Sequence, residues 1–314
     1  MKIISFDRIA KAGITPMQCY EWVSWAIAHK KEALLPAKIS LKPGIPGVFY
    51  NTMPAILPGS GWGGVKLVTR YPERKPSLES QILLYQLDTG GNLALLDGTW
   101  ITTMRTGAVA AHAVKLLAVK DFSLLGFIGL GNTARAALAV LLALYPDRKL
   151  TIKLKKYKDQ HELFAERFAD AKNVEFVYCD TYEEVVRESD VVVSAATVFE
   201  TDICPDDCFK EGVLVVPVHT RGFTNCDLFF DKIFADDRDH VKGFRYFDRF
   251  HSFAEVSDVV SGNAAGREND RERILAYNIG IALHDIYFAG KLYEICGQEC
   301  PEISLEAPTE KFWI

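Results

Sequence analysis

A glycine-rich turn is the first part of the sequence whose residue types and spacing could do chemistry. The apolar run LLGFIG ends at Gly129, and Leu130, Gly131, Asn132, Thr133 and Ala134 lead into the helical pattern TARAALAVLLALY. In such a turn the first glycine permits a tight bend, the second lets backbone approach a pyrophosphate, and the alanine lets helix and strand pack closely. The helix N-terminus attracts the anion. We expect Gly129, Gly131, Asn132, Thr133 and Ala134 to bind a dinucleotide; the alternative is a turn without a ligand.

Lysines follow the next predicted strand, near the position that distinguishes NAD from NADP. A site that prefers NAD has an acidic residue about 20 residues beyond the glycines. This chain has Lys153, Lys155, Lys156 and Lys158 there, and no acid before Asp159. Because cations attract a 2′-phosphate, the sequence favours NADP(H), with Lys155 and Lys156 as ligands, and leaves NAD(H) possible. The alternative is a solvated edge of lysines with no role in cofactor choice.

The elements that must position this turn alternate between strands and helices from Ser123 onward. Apolar runs such as NVEFVYC, DVVVSAA and GVLVVPVH are separated by helical patterns such as HELFAERFAD. This alternation predicts βαβ units and a parallel sheet with helices on both faces. Residues 122–284 are therefore predicted to form a Rossmann-type domain.

Residues 1–121 have a different pattern, with prolines and glycines between short predicted strands, which indicates an α+β domain. Near the other end, Asn269 or Asp270 can cap an amphipathic helix that runs to about Cys296 and returns the chain to this domain. Residues 1–121 and 285–314 are therefore predicted to form one discontinuous domain. The expected fold class is α/β, a Rossmann-type parallel sheet plus this discontinuous α+β domain.

The composition is that of an ordinary globular protein. Of 314 residues 49% are apolar, and the net charge of −5 argues against nucleic acid as a partner. No apolar run approaches the ~20 residues that span a bilayer, and Asp7 comes too early for a signal peptide. The seven cysteines lack C-x-x-C spacing and are interpreted as reduced thiols of a cytoplasmic protein, with no metal site. The alternative is a zinc site formed by Cys204 and Cys208 with Cys296 and Cys300.

A longer pattern in the N-terminal region is more specific. The stretch LDTGGNLALLDGTWITTMRTGAVAAHAVKLLA, with GWGGVK before it and GLGNTA and the run from Gly280 to Asp285 after it, resembles the ornithine cyclodeaminase/mu-crystallin family across nearly the whole chain. The resemblance implies a homodimer whose first domain binds substrate and dimerises, and a Rossmann domain that holds a nicotinamide cofactor. The family includes ornithine cyclodeaminases, alanine dehydrogenases and ketimine reductases.

The resemblance also implies a site for the substrate carboxylate. In such enzymes a lysine and an arginine at the positions of Lys66 and Arg105 hold the carboxylate, and Met53 is expected nearby. Arg105 would supply a bidentate fork and Lys66 a point charge. A neighbouring cation would lower the pKa of Lys66 and make it a proton donor or acceptor at an imine nitrogen. The alternative is that both residues are surface cations, although Lys66 lies in the apolar context VKLV, where a charge is costly unless paired.

Three features depart from the family pattern, one of them the Lys155/Lys156 cluster that replaces the acidic ribose ligand. Lys38 replaces the usual arginine, which reduces a bidentate contact to a point charge. His219 ends the predicted strand GVLVVPVH where ornithine cyclodeaminases have an aspartate, and this weakens the cyclodeaminase interpretation. Because the carboxyl ends of parallel strands are where such sheets bind ligands, His219 is a second candidate for the general acid; the alternative is a structural histidine.

Further contacts to the cofactor are expected by resemblance from Ser77, Thr106, Thr197 and Gly280. Gly280 is expected within the last long helix, where a glycine is costly, so the close approach of another group is a reasonable explanation. His112 and the other histidines lack metal-ligand spacing.

These expectations combine into one leading function. The protein is predicted to be an NAD(P)H-dependent oxidoreductase that acts on the C–N bond of a small imino or amino acid, preferably reducing an imine, with Lys66 or His219 supplying the proton. One alternative is an ornithine cyclodeaminase that uses NAD catalytically. Another is a mu-crystallin-like protein that binds NADPH and a ligand.

Overall fold

The computed structural model describes residues 1–196, 199–218, 222–305 and 310–311. The described strands and α-helices are β1 (Lys2–Ile4), α1 (Phe6–Ala10), α2 (Pro16–Ala28), β2 (Ile39–Leu41), β3 (Phe49–Leu57), β4 (Trp62–Arg70), β5 (Leu78–Gln86), β6 (Asn92–Asp97), α3 (Thr99–Leu117), β7 (Leu124–Ile128), α4 (Asn132–Leu144), β8 (Leu150–Lys155), α5 (Gln160–Glu166), β9 (Val174–Cys179), α6 (Tyr182–Val186), β10 (Val191–Ser194), β11 (Leu214–Pro217), α7 (Cys226–Phe229), β12 (Lys232–Ala235), α8 (Arg238–Val241), β13 (Phe253–Glu255), α9 (Val256–Val260), β14 (Ile274–Tyr277) and α10 (Ala282–Cys296). None of the described helices has the length and apolar character needed to cross a membrane.

The chain forms two units. The first comprises Met1–Ile14, Glu32–Thr102 and Ala282–Ile314, and the second comprises Thr15–Lys31 and Thr103–Ile281. These boundaries differ from the predicted division after residues 121 and 284, since α2 and most of α3 belong to the second unit. There α2 packs against α4.

The first unit contains a six-stranded sheet in the order β1-β6-β5-β4-β3-β2. β1 is parallel to β6, and the other neighbours are antiparallel. β3, β4 and β5 each have nine residues, so the prediction of short strands was wrong here. Only some of the glycines and prolines lie in turns: Pro58 and Gly61 separate β3 from β4, whereas Pro54 and Gly64 lie inside strands.

Helix α10 covers one face of this sheet, packing against β3, β4 and β5. The approach is too close for two of the glycines to carry side chains. A Cβ on Gly64 would lie 2.8 Å from Cδ1 of Ile286, and one on Gly290 would lie 2.1 Å from the ring of Trp62. The polar side chains of α10 can therefore reach the strands directly.

The second unit contains an eight-stranded parallel sheet in the order β13-β12-β14-β11-β10-β7-β8-β9. All residues of β10, β11 and β14 are buried, as expected of parallel strands that are covered on both faces. From β7 the chain adds β8 and β9 on one side and then returns to place β10 on the other. A crevice for ligands forms where the strand order reverses in this way. The predicted α/β class with a Rossmann-type sheet is confirmed.

The segment before α10 differs from the prediction. A helix was expected from Asn269 or Asp270 to about Cys296, but Ile274–Tyr277 form β14 and the helix begins at Ala282. The prediction was wrong because ILAY is a short apolar run, which periodicity alone cannot assign to helix or strand. The run lies between β11 and β12, so tertiary pairing decides its conformation.

Candidate functional site

The glycine-rich turn joins β7 to α4. Gly129 has a φ of +77°, and a Cβ there would lie 2.5 Å from the backbone nitrogen of Ala196. Gly131 is the N-cap of the 13-residue helix α4, and a Cβ there would meet nothing within 4 Å. Ala134 is fully buried in the first turn of the helix. The turn thus combines a tight bend with open space in front of a helix N-terminus, and these residues fit a dinucleotide pyrophosphate.

Helix α3 touches α4 closely. A Cβ on Gly107 would lie 2.5 Å from the Cβ of Ala136 and from the backbone nitrogen of Ala137. The predicted residues Arg105 and Thr106 immediately precede this contact and belong to the same unit as the glycine-rich turn. Arg105 is buried, with 6% of its surface exposed.

Gly280 lies in the segment between β14 and α10, so its predicted place within a helix was wrong. Its φ of +93° is a conformation that favours glycine. A Cβ on Gly280 would lie 2.8 Å from Nη1 of Arg105 and 3.2 Å from Nη2. The group that approaches Gly280 is therefore a guanidinium. A contact of Gly280 with a cofactor stays a prediction.

The side chain of Lys153 is hydrogen-bonded to main-chain carbonyls at the end of α6. Its Nζ donates hydrogen bonds to the carbonyl oxygens of Glu184 at 3.0 Å and Arg187 at 2.6 Å, where α6 ends. A lysine near a helix C-terminus satisfies carbonyls that have no partner within the helix. Lys153 therefore stabilises α6.

Lys155 and Lys156 lie at the carboxyl end of β8. The ammonium of Lys155 lies 5.6 Å from the ring centroid of Tyr182. Lys156 forms an exposed ion pair of 3.0 Å with Asp180, and its hydrogen bond to that carboxylate raises the pKa of Lys156. A 2′-phosphate at this edge would have to compete with Asp180 for Lys156.

In the first unit the sheet brings three predicted substrate residues into one row. Met53 of β3 is directly opposite Lys66 of β4. Ile39 of β2 is opposite Thr52, so the same register continued by one residue places Lys38 level with Met53. Residues paired across antiparallel strands share a face. Lys38, Met53 and Lys66 therefore belong to the same face of the sheet.

Lys66 forms a buried ion pair. Its Nζ donates a hydrogen bond of 2.8 Å to Oδ1 of Asp285 in α10, and the two side chains are 1% and 0% exposed. The sequence analysis expected a cation beside Lys66, whereas the described partner is a carboxylate, which stabilises the ammonium form. The side chain of Lys66 is thus an enclosed ammonium that is hydrogen-bonded to a carboxylate.

Sequence reasoning did not identify Asp285 as the partner of Lys66. Asp285 is separated from Lys66 by 219 positions, so no local spacing connects them. The available signal was a carboxylate within the apolar run GIALHDIYFAG, because a charge in a buried stretch needs a partner.

Three other predicted site residues are Ser77, Thr197 and His219. Ser77 lies in the turn between β4 and β5, where its carbonyl accepts the Tyr71 N–H at 2.9 Å; a contact between its side chain and a cofactor stays a prediction. Thr197 and His219 lie outside the described residues.

His112 of α3 is a buried histidine to which the sequence analysis gave no function. Its ring stacks on that of Tyr20, with 5.8 Å between centroids. Burial, followed by the nearby charge of Lys115, lowers the pKa of His112 to about 4. The fold therefore keeps this ring neutral near pH 7.

The parallel sheet and the glycine-rich turn at its switch point define the second unit as a Rossmann-type dinucleotide-binding fold, in a chain whose first unit encloses a lysine ammonium. The chain belongs to the ornithine cyclodeaminase/mu-crystallin family, whose model matches residues 32–299. The predicted resemblance is confirmed.

Characterised relatives are similar over most of the chain. The nodulation efficiency protein NfeD of Rhizobium meliloti is 28% identical over 274 residues, covering 84% of each chain. A Delta(1)-pyrroline-2-carboxylate reductase of Bacillus cereus is 29% identical over 263 residues, covering 77% of this chain and 80% of the relative. The solved structure of the Thermococcus litoralis Delta(1)-pyrroline-2-carboxylate reductase with NADH and L-proline superposes with a TM-score of 0.83 at 26% identity, covering 94% and 97% of the two chains.

Proposed function

We propose that the protein is an NAD(P)(H)-dependent oxidoreductase that acts on the C–N bond of a small amino or imino acid. Its relatives include reductases of a cyclic imino acid. The observation that carries the proposal is the buried Lys66–Asp285 pair. Two buried charges seldom stabilise a fold better than apolar residues of similar size would, so an enclosed ammonium is better explained by the chemistry it can do.

The residues proposed to bind substrate are argued for each unit by itself. In the first unit, Lys66 and Lys38 share a face of the sheet with Met53, and two cations there suit a carboxylate. In the second, Arg105 offers a planar fork for bidentate binding. We assign these four residues to substrate binding.

The proposed proton donor is Lys66. When bound, the nicotinamide supplies or accepts the hydride, and reduction of an imine also requires a proton at its nitrogen. The ammonium of Lys66, stabilised by Asp285 at 2.8 Å, carries such a proton. When Lys66 gives up this proton, it also loses the positive charge that balances Asp285. The fold therefore favours the prompt return of a proton to Lys66. His219 is the other candidate donor.

The proposed cofactor is NADP(H), and NAD(H) is the alternative. No carboxylate occurs from Lys153 to Lys158, and Lys155 and Lys156 lie at the strand end where the ribose of a bound dinucleotide is recognised. Thr106, Asn132 and Thr133 are proposed as further contacts, together with the glycine-rich turn. The direction proposed is reduction of an imine.

The proposal is tested by the consumption of NADPH and NADH with Delta(1)-pyrroline-2-carboxylate, other cyclic imino acids, and 2-oxo acids with ammonia or small amines. We expect turnover of at least one imino acid, faster with NADPH, and loss of that turnover in Lys66→Ala. A pH–rate series on Lys66→Ala and His219→Ala separates the two donors. Turnover near the wild-type level in both variants would show that neither is the acid.

The same experiment distinguishes the alternatives. Conversion of ornithine to proline and ammonia with NAD, and without net consumption of cofactor, would replace the reductase by an ornithine cyclodeaminase. Tight binding of NADPH without turnover of any substrate would favour a mu-crystallin-like binding protein.

We also propose a homodimer. On the sheet face opposite α10, the apolar side chains of Ile39, Leu41, Ile56 and Leu67 are between 36% and 61% exposed. Several exposed apolar side chains on one sheet face are typical of a protein interface. Sedimentation should give twice the mass of the chain, and Ile56→Lys with Leu67→Lys should reduce it towards the monomer. Leu163→Lys, an exposed leucine of the second unit, is the control.

The proposed location is the cytoplasm. All seven cysteines are free thiols, which suits a reducing compartment. Fractionation of the native host, followed by detection of the chain, is the direct test.

A further inference from the structure

Arg105 is packed against main chain. The position that a Cβ of Gly280 would occupy has three guanidinium atoms of Arg105 within 3.5 Å. Because Gly280 has no side chain, the guanidinium lies directly against its backbone. The position of this charged group therefore depends on the path of the chain at residue 280.

Asp236 fixes that path. Its Oδ2 accepts the N–H of Gly280 at 2.6 Å in buried surroundings. Asp236 itself is well anchored: it directly follows β12, and its own N–H donates to the carbonyl of Tyr277 at 3.0 Å, which extends the pairing of β12 with β14. A hydrogen bond to a buried carboxylate is among the stronger ones in a protein.

The start of the same segment is held separately. The backbone N–H of Asn278 donates to the carbonyl of Pro217 at 2.9 Å, at the end of β11. The segment is thus pinned first to β11 and then, through Gly280, to Asp236. The left-handed φ of +93° at Gly280 is held between these anchors.

We propose that Asp236 is a positioning residue for Arg105: through the backbone of Gly280 it sets where the guanidinium lies, and hence how tightly a substrate carboxylate is bound. This inference rests on the proposed role of Arg105 in substrate binding. In this role the carboxylate of Asp236 acts through the main chain of Gly280.

The test compares Asp236→Ala with a matched control. Asp231 precedes β12 as Asp236 follows it, and its Oδ2 accepts the N–H of Arg273 at 2.7 Å at the opposite end of the β12–β14 pair. Asp231→Ala therefore removes the same type of bond far from Arg105. Displacing a positioning group by about 1 Å can cost up to about a hundredfold. We expect Asp236→Ala to raise the KM for Delta(1)-pyrroline-2-carboxylate, and the Kd for L-proline, by about tenfold to a hundredfold.

Other readouts separate positioning from general damage. The kcat and the Kd for NADPH should stay within about threefold of wild type in both aspartate variants. Asp236→Asn retains an oxygen that can accept the Gly280 N–H, and should restore most of the affinity. Asp236→Ser, which shortens the side chain, should raise the same KM and replaces Asp236→Ala if that variant fails to fold.

A double-mutant cycle gives the decisive result. If Asp236 acts through Arg105, adding Asp236→Ala to Arg105→Ala should change KM and the L-proline Kd by less than about twofold, because coupled residues are not additive. Effects that multiply, or an Asp236→Ala variant that behaves like Asp231→Ala while Arg105→Ala is impaired, would overturn the inference alone. Unchanged carboxylate affinity in Arg105→Ala would overturn the proposed role of Arg105, and the inference with it.

Discussion

The substrate-site candidate of the first unit and the glycine-rich turn of the second unit are built in different ways. The first unit encloses a charged side chain, Lys66, and balances it with Asp285 from a distant part of the chain. The second unit shapes its glycine-rich turn by omitting side chains, with a left-handed backbone at Gly129 and open space at Gly131. Its deeply buried ring, His112, is kept neutral.

In the first unit, the proposed chemistry and the stability of the fold depend on the same residues. In the second unit, they depend on different residues. The buried ion pair supports the fold and Lys66 is the proposed proton donor, so a change at Lys66 should affect both stability and turnover. In the second unit, backbone geometry, cofactor choice and core packing depend on different residues. Variants there should alter one property at a time.

The largest effect is expected from Lys66→Met. It leaves the carboxylate of Asp285 buried without its ammonium, which costs about 3–5 kcal/mol in free energy of unfolding. The double variant Lys66→Met with Asp285→Leu should recover most of this stability and remain inactive. Urea unfolding and steady-state turnover measure the two properties. A double variant as unstable as the single one would show that the pair is not the source of the coupling.

In the second unit, His112→Gln should change stability alone. The folded pKa of His112 is about 4, against about 6.5 in an unfolded chain. Between these values only the unfolded state takes up the proton. The free energy of unfolding should therefore fall as the pH drops from about 6.5 to about 4, by at most roughly 3 kcal/mol.

His112→Gln should remove this part of the pH dependence and leave KM at pH 7 unchanged. Urea unfolding at several pH values measures the slope. The control is His251→Gln, which changes an exposed histidine. If the slope is the same in His112→Gln and wild type, the ring is not the group responsible.

A smaller effect, confined to the cofactor, is expected from Gly131→Ala. The Cβ of the new alanine would meet no protein atom within 4 Å, so the unfolding midpoint without nucleotide should stay unchanged. The affinity for the dinucleotide should fall by about tenfold, or ~1.4 kcal/mol. Gly129→Ala is the contrast: strain and a 2.5 Å approach to Ala196 should destabilise the fold itself. Fluorescence titration and thermal unfolding distinguish the two. Equal destabilisation by both substitutions would contradict the separation.

The smallest effect concerns cofactor choice. Lys155→Ala and Lys156→Ala should each raise the KM for NADPH by up to about fivefold and change that for NADH by less than about twofold, since an exposed cation contributes about 1 kcal/mol or less to binding a phosphate. Lys149→Ala, at the exposed amino end of β8, is the matched control. Equal changes for NADPH and NADH would exclude a role in recognising the 2′-phosphate.

Local patterns predicted much of the fold and part of the candidate site. The glycine-rich turn could be predicted because bend, open space and helix start are encoded in six consecutive residues. Lys66 could be recognised because a charge in VKLV needs a partner. The partner, Asp285, and the anchor of Gly280, Asp236, could not, because both depend on tertiary contacts across long stretches of chain.

Errors arose where short runs were ambiguous. ILAY is four residues long, and only its neighbours β11 and β12 make it a strand. Once that segment was assigned to a helix, Gly280 was assigned to the same helix, and its left-handed φ could not be foreseen.

The first unit is built from three separate segments of the chain, which affects the order in which its elements fold. Its central strands emerge early in synthesis, but the helix that covers Lys66 begins at Ala282, near the end of the chain. An uncovered sheet is marginally stable, and closing so long a loop is slow. In refolding followed by hydrogen exchange, we expect the amides of β10 and β11 to gain protection before those of α10. Lys66 would thus pair with Asp285 only when the C-terminal segment docks, so the ion pair would form late in folding.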